Sequence, residues 1–163
     1  MENMAQVRAA PLARVAGASV IAGLAQIATV YVLQPLLGTE RGAFSRFVAS
    51  ALRLEEGAIV ASPAVSLTGV ALLLVAAVLW GILFRTVAPA GNAVTGVAYG
   101  LAVWLIGALV ILPLLGALGY GGPGPGFLGM GFSGARSAFV AAAAHAVYGG
   151  LLGAMLGGPT GRN

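Results

Sequence analysis

His145, the only histidine of the chain, is the side chain best suited to acid–base or ligand chemistry. It stands in the middle of a long uncharged stretch, and ionisable groups surrounded by lipid are by default functional candidates. As an axial ligand of a b-type haem, it would need a second ligand from another copy of the chain or from another subunit. The interpretation that we favour is a neutral imidazole hydrogen-bonded to a carbonyl or hydroxyl group of a neighbouring helix, such as Thr68 or Tyr99.

Other polar side chains occur singly within apolar stretches: Gln26, Thr68, Tyr99 and Tyr148. Gln26 is expected to hydrogen-bond between helices, a contact worth about 0.6 and at most about 2 kcal/mol in a membrane. The alternative is a small homo-oligomeric transporter or channel in which the first three of these side chains, together with His145, line the path.

The sequence offers little for catalysis. Its four acidic residues are all glutamates, Glu2, Glu40, Glu55 and Glu56, and none lies in an apolar stretch. General acid–base catalysis needs positioned carboxylates or histidines, and no HExxH, paired-acid or triad-like pattern occurs. Because the chain has no Cys and no Lys, thiolate metal sites, cysteine nucleophiles and the GxxxxGK[ST] phosphate loop are excluded. We expect a protein that is not itself an enzyme and needs no metal or cofactor.

Four apolar stretches are long enough to cross a bilayer. A hydrocarbon core about 30 Å thick requires about 20 helical residues at 1.5 Å rise each. The stretches are apolar all round, whereas a soluble helix has one apolar face. They predict an all-α, polytopic membrane protein: a four-transmembrane-helix bundle in a single integral membrane domain over residues 1–163, with spans at about 15–33, 64–84, 93–118 and 137–156.

Composition also favours a membrane location. Of the 163 residues, 60% are hydrophobic and 7% are charged, and the mean hydropathy is +1.00. A soluble domain carries about 25% charged residues. All eight basic residues are arginines, and they are spread over several loops, so nucleic-acid binding is not expected. The net charge of +4 instead suits contact with anionic lipid headgroups.

Small residues spaced four apart mark the predicted helix-packing faces. Such pairs let two backbones approach closely, and dispersion contacts then hold the helices together where no hydrophobic effect operates between them. The positions are Ser19 and Gly23 in span one, Gly96 and Gly100 in span three, and Gly149, Gly153 and Gly157 in span four. They predict tight packing within the bundle or against partners, and they do not identify a function.

The connector between spans one and two predicts a short interfacial helix. Phe44, Phe47 and Val48 recur at helical spacing, while Arg46 and Arg53 share another face. In one arrangement the phenylalanines lie in lipid and the arginines among headgroups. In the other, the apolar face covers the ends of the neighbouring spans.

Turns and breaks divide the rest of the chain. Span one is expected to end before Pro35, since the residue preceding a proline avoids helical geometry. Trp80 and Arg85 are expected to anchor the end of span two at the interface. A short link then pairs spans two and three as an antiparallel hairpin, and Pro113 is expected to kink span three.

The glycine-rich loop 119–134 predicts no regular helix and is expected to lie against the membrane surface or another subunit.

An even number of spans places both termini on the same side of the membrane. Four arginines fall on each side, so the rule that counts basic residues near span ends gives no orientation. The glutamates of the first connector lower the net charge of one side, which favours both termini in the cytoplasm. We expect a multi-pass protein of a prokaryotic cytoplasmic membrane.

From span two onwards, the order of features resembles the YagU-like type of small four-helix membrane proteins of unknown function. The resemblance covers about half of the chain. It rests on the segment Asn92–Gly107, the Leu112-Pro113-Leu114 end of span three and the closing run Ala144–Gly153. Such proteins carry a further histidine where span two opens, whereas Val65–Leu74 has none, which argues against a two-histidine site. The resemblance implies the four-span fold and no established activity.

These features predict a non-catalytic accessory or structural subunit of a larger membrane protein complex, respiratory or otherwise engaged in electron transport. Its partners would be the lipid bilayer and other membrane protein subunits. Few polar groups lie at membrane depth to support catalysis, the small-residue faces suit docking to other helices, and the hydrophobic loops need to be covered by a partner. The alternatives are the homo-oligomeric transporter or channel and a b-type haem-binding membrane subunit that uses His145.

Overall fold

A computed structural model of the protein describes residues 12–38, 41–42, 44–46, 48–49, 63–118, 127–130 and 134–157. Most of these residues belong to four long helices, α1 (Leu12–Leu36), α2 (Pro63–Val87), α3 (Ala93–Ala117) and α4 (Ala135–Leu156). Each helix is long and apolar enough to cross a bilayer, and the described part of the chain contains no strand. The predicted all-α fold with four membrane-spanning helices is confirmed, and the chain is an integral, multi-pass membrane protein.

The helices neighbour one another in the order α2–α1–α4–α3. α1 packs along both α2 and α4, and α4 packs along both α1 and α3. α2 and α3 are consecutive in sequence, but they share only a small contact near their link, where Tyr99 meets Trp80 and Phe84. The hairpin predicted for spans two and three is therefore splayed, and each of its helices packs mainly against α1 or α4.

Two arginines tie the helix ends together across the bundle. Arg14 donates to the carbonyl oxygen of Met155 at 3.1 Å, and this end, which also holds the 88–92 link, is called the link end. Arg136 donates to the carbonyl oxygen of Leu37 at 3.1 Å, and this end, which also holds the described residues 41–42, 44–46 and 48–49, is called the connector end. α1 begins where α4 ends, so the four helices alternate in direction.

α3 and α4 approach so closely that their backbones touch at glycines of both helices. A Cβ atom on Gly96 would overlap the carbonyl oxygen of Gly149, and one on Gly100 would overlap the carbonyl oxygen of His145. A Cβ atom on Gly153 would overlap the carbonyl oxygen of Asn92. The predicted small-residue faces of spans three and four thus pack against each other within the chain.

α1 packs against α2 through a second small-residue face. The hydroxyl of Ser19 donates to the Val15 carbonyl oxygen at 2.7 Å, and its oxygen occupies the place where Gly81 would carry a Cβ atom. A Cβ atom on Gly23 would lie 2.9 Å from the Cβ atom of Ala77. Ala77 and Gly81 are themselves four residues apart, a small-residue pair in span two that the sequence analysis missed.

α1 continues through Pro35 to Leu36, so the prediction that the helix ends before the proline is wrong. A proline removes its own N–H donor and crowds the carbonyl four residues earlier, and at a helix end both effects are confined to the final turn. The final turn closes beyond it, because the Leu37 N–H donates to the Leu33 carbonyl and the Gly38 N–H donates to the Pro35 carbonyl, both at 3.1 Å.

The second half of α3 contains a π-helical turn, Gly107–Ile111. The Leu112 N–H donates to the Gly107 carbonyl, five residues earlier, and Pro113 follows directly. A proline ring in a regular α-helix clashes with the carbonyl four residues before it, and a wider turn relieves the clash. The distortion that Pro113 predicts therefore takes the form of this turn.

The connector residues 44–46 and 48–49 are helical and pack against the start of α2. The carbonyl oxygen of Ser45 occupies the place of a Cβ atom on Gly69. Arg46 is only 8% exposed, and its Nη1 donates to the Arg41 carbonyl at 3.0 Å, so the prediction that it lies among headgroups is wrong. This segment covers the end of a span, as in the second predicted arrangement; Phe47 and Arg53 lie outside the described residues.

Part of the glycine-rich loop is also described. Phe127–Gly129 form a single 3₁₀ turn beside the π-helical turn of α3, and the Met130 N–H donates to the Phe127 carbonyl at 3.0 Å. This single turn, in which Leu128 has a φ of 54°, is not a regular helix, as predicted, within the part of the loop that is described. Residues 119–126 and 131–133 lie outside the described part.

Gly149→Ala is expected to lower the free energy of unfolding by about 1–3 kcal/mol or more, because the added methyl group would overlap the backbone of α3. Gly17→Ala is the matched control, since no atom lies within 4 Å of its added Cβ atom. Thermal unfolding of both variants in mild detergent measures the difference. Equal midpoints for the two variants would contradict the close α3–α4 contact.

Candidate functional site

Two tyrosine hydroxyl groups link α2 by hydrogen bonds to α3 and α4, the two helices that have few other contacts with α2. The Tyr148 hydroxyl of α4 donates to the Ala77 carbonyl, and the Tyr99 hydroxyl of α3 donates to the Trp80 carbonyl, both at 2.6 Å. The Tyr99 ring packs against Phe84 with centroids 5.0 Å apart. Tyr148 and Phe84 are each 1% exposed. The hydroxyl groups of both tyrosines therefore bind protein backbone, toward the link end of the bundle.

His145 hydrogen-bonds within its own helix. Its Nδ1 atom lies 2.8 Å from the carbonyl oxygen of Ala141, one turn earlier in α4. A carbonyl oxygen only accepts, so in the neutral imidazole Nδ1 carries the proton and Nε2 is an acceptor. The predicted bond to a neighbouring helix through Thr68 or Tyr99 is wrong, because both of those hydroxyl groups donate to other carbonyls.

Within the described part of the chain, three further polar side chains of the spans form no hydrogen bond to another helix: Thr68 and Thr29 bond within their own helices, and Gln26 is unbonded. Thr68 donates to the Ala64 carbonyl at 2.9 Å, and Thr29 donates to the Ala25 carbonyl at 2.8 Å. The Gln26 side chain, half-buried in α1, makes no hydrogen bond with the described residues, contrary to the predicted bond between helices.

The four side chains predicted to line a path do not converge in one chain. Tyr99 lies at the level of Trp80 near the link end. Thr68 lies about 18 Å away along α2, at 1.5 Å per residue from Trp80. In the described part of the chain, no set of three or more histidine, cysteine or acidic residues forms a metal-binding group.

A buried indole nitrogen is a polar atom at depth that the sequence analysis did not single out. Nε1 of Trp104 is buried and has no hydrogen-bond partner among the residues that the structure describes. Trp104 lies one turn beyond Gly100, the glycine that contacts the His145 carbonyl. No pattern in the sequence distinguishes this tryptophan from an interfacial anchor.

Polar contacts are densest at the connector end. The Gly42 N–H donates to Oε1 of the buried Gln34 at 3.0 Å. The Ser45 hydroxyl donates to the Gly42 carbonyl at 2.9 Å and lies 3.2 Å from the Tyr31 hydroxyl, which therefore acts as the donor of that pair. Sequence reasoning missed this cluster because its members come from both α1 and the connector.

The predicted interfacial residues are distributed between the two ends. Trp80 is partly buried against the apolar core, and Arg85 donates to the Pro89 carbonyl in the link. Phe44 is half-buried in the connector segment. Four of the five described arginines thus bond to backbone carbonyls; the fifth, Arg41, is exposed, and its side chain makes no hydrogen bond or ion pair with the described residues.

Comparison with protein-family models, curated proteins and solved structures finds no match to this chain. The resemblance to YagU-like proteins and every assignment of function consequently remain predictions that rest on the residues themselves.

Tyr148→Phe is expected to lower the free energy of unfolding by about 0.6–1.7 kcal/mol, the range measured for hydrogen bonds between helices in membranes. The loss follows because the phenol oxygen is the donor to α2 in the buried core. Thr68→Val is the control, because its hydroxyl binds only its own helix and should contribute little. Steric trapping or denaturation in detergent compares the two, and an equal loss in both variants would contradict the role of the tyrosine.

Proposed function

We propose that the protein is a non-catalytic accessory subunit of a larger membrane complex. The observation that carries the proposal is the bonding of the polar side chains within the spans. Six of them (Ser19, Thr29, Thr68, Tyr99, His145 and Tyr148) bond to backbone carbonyls of the same chain. A side chain that already binds its own backbone contributes to the fold and is not directed toward a substrate.

α3 is the helix that we propose docks to the partner. Of the four helices it has the smallest buried share, 17% of its most apolar stretch, against 39% for α4. It packs mainly along α4, which leaves the opposite surface open, including Leu105, Leu109 and Val110 at 42–57% exposure. The glycine face of α3 is occupied by α4, so docking would use these larger aliphatic side chains.

The arrangement gives less support to a transporter or channel, because Thr68 and Tyr99 lie at different depths and three of the four side chains proposed to line the path (Thr68, Tyr99 and His145) bond to backbone. An electron-transfer assembly is the first complex to examine, and the protein that co-purifies from native membranes would identify it. We expect the isolated chain to aggregate and the complex to remain dispersed. Isolation as a stable, solitary monomer in mild detergent would count against the proposal.

A photoreactive benzoylphenylalanine in place of Leu105 is expected to give a covalent adduct with another membrane protein in native membranes. The same residue in place of Ile21 on α1 is the control, since Ile21 is 57% exposed but lies on a helix flanked on both sides. Mass spectrometry of the adducts identifies the partner. Adducts only with lipid at both positions would exclude docking through α3, and adducts with a second copy would favour the homo-oligomer.

One contact favours the haem-binding alternative. A histidine that ligates a metal normally donates its other ring N–H to a carbonyl or carboxylate, and the His145 Nδ1–Ala141 bond has this form. A b-type haem would then bind Nε2 and would take its second ligand from another subunit. An absorption spectrum of the protein purified with its partners tests this: an intense Soret band that is lost in His145→Leu supports haem, and its absence in the unaltered complex excludes it.

A further inference from the structure

An open groove of about 520 Å³ lies on the outer surface of α1 at the connector end. Its walls are formed by Tyr31, Val32, Pro35 and Leu36, and Arg41 lines its rim. Val32 and Leu36 are 60% and 73% exposed. The groove thus combines an apolar wall with a single cation, an arrangement that suits an amphiphilic ligand.

The groove lies where α1 leaves the hydrocarbon. The 25 residues of α1 extend about 37 Å at 1.5 Å each, longer than a hydrocarbon core of about 30 Å. When α1 is centred in the bilayer, Tyr31 and Val32 lie inside the edge of the hydrocarbon, and Leu36 reaches the headgroups. Arg41 follows the helix and lies beside its last turns, since the adjacent Gly42 donates to Gln34, and a long arginine side chain at this edge of the hydrocarbon extends to the lipid phosphates.

The backbone that carries Arg41 is fixed on both sides. Before it, the Leu37 carbonyl accepts a hydrogen bond from Arg136. The carbonyl of Arg41 itself accepts a hydrogen bond from the Arg46 side chain. After it, the Gly42 N–H donates to Gln34, and Gly42 adopts a φ of 73°, which favours glycine.

The guanidinium of Arg41 is available while its backbone is held in place. It is exposed and makes no hydrogen bond or ion pair with the residues that the structure describes. The charged residues described at this end are arginines, and the neighbouring Glu40 lies outside the described residues. A cation on a fixed backbone beside an apolar wall offers a phosphate a charge-assisted hydrogen bond for which only the arginine side chain has to be ordered.

We propose that this groove binds an anionic glycerophospholipid of the surrounding bilayer. The guanidinium of Arg41 binds the phosphate diester, and the acyl chains lie along Val32 and Leu36. The Tyr31 hydroxyl donates to Ser45, so the phenol ring forms part of the wall and its oxygen is not a phosphate donor. A free phosphate ion would leave the apolar wall uncovered, and a zwitterionic lipid would offset the attraction of the arginine with its own cation.

Native mass spectrometry in mild detergent tests the site with phosphatidylglycerol and phosphatidylcholine of the same acyl chains. The unaltered chain is expected to retain one tightly bound phosphatidylglycerol. Arg41→Gln should weaken that binding about fivefold, the worth of one basic residue at an anionic surface, and leave phosphatidylcholine binding unchanged. Arg85→Gln at the link end is the matched control and should bind as the unaltered chain does.

Val32→Trp provides an independent variant, because it fills the groove from an exposed position without touching the charge. It should lower the binding of both lipids. Equal retention of the two lipids by the unaltered chain, or unchanged phosphatidylglycerol binding in Arg41→Gln, would overturn the proposal. Displacement of the lipid by excess inorganic phosphate would assign the site to a free anion and would overturn it equally.

Discussion

Between helices that are immersed in lipid, attraction comes from close packing and hydrogen bonds, because lipid tails are as apolar as the side chains that they would replace. The contact of α3 with α4 obtains that attraction by removing side chains from the interface. Gly96 and Gly100 lie directly against backbone atoms of α4, and Gly149 and Gly153 lie against backbone atoms of α3. α4 in turn packs along α1, so this contact holds the least buried helix to the rest of the bundle.

Much of this arrangement could be predicted because it depends on local composition. The spans follow from uncharged runs of sufficient length, and the α3–α4 face follows from glycines four residues apart. The Ala77/Gly81 face was missed because alanine is common in every span and marks no face by itself. The end of α1 was missed because the cost of Pro35 depends on which hydrogen bonds the final turn forms. The Gln34–Gly42 contact joins residues that no periodic pattern links.

Candidate sites were harder to predict, since the sequence shows which side chains are polar but not where their partners lie. His145, Thr68 and Tyr99 were expected to meet, yet each finds a separate carbonyl. In lipid, the nearest acceptor for an isolated hydroxyl or imidazole is usually backbone, one turn away or on the adjacent helix. At the connector end, Arg46 and Arg136 bind backbone carbonyls and the Gln34 side chain binds the Gly42 N–H, so polar side chains gather around the turn that follows α1.

The π-helical turn in α3 changes the angular relation between the two halves of that helix. A turn that contains one extra residue rotates everything after it by about 100° relative to a regular helix. The residues from Leu112 onward are therefore out of phase with the row that Gly96 and Gly100 begin. A deletion of one residue between 107 and 111 would bring the two halves back into phase and turn a different side of the Pro113 segment toward α4, so the length of this stretch sets which side chains of that segment face α4.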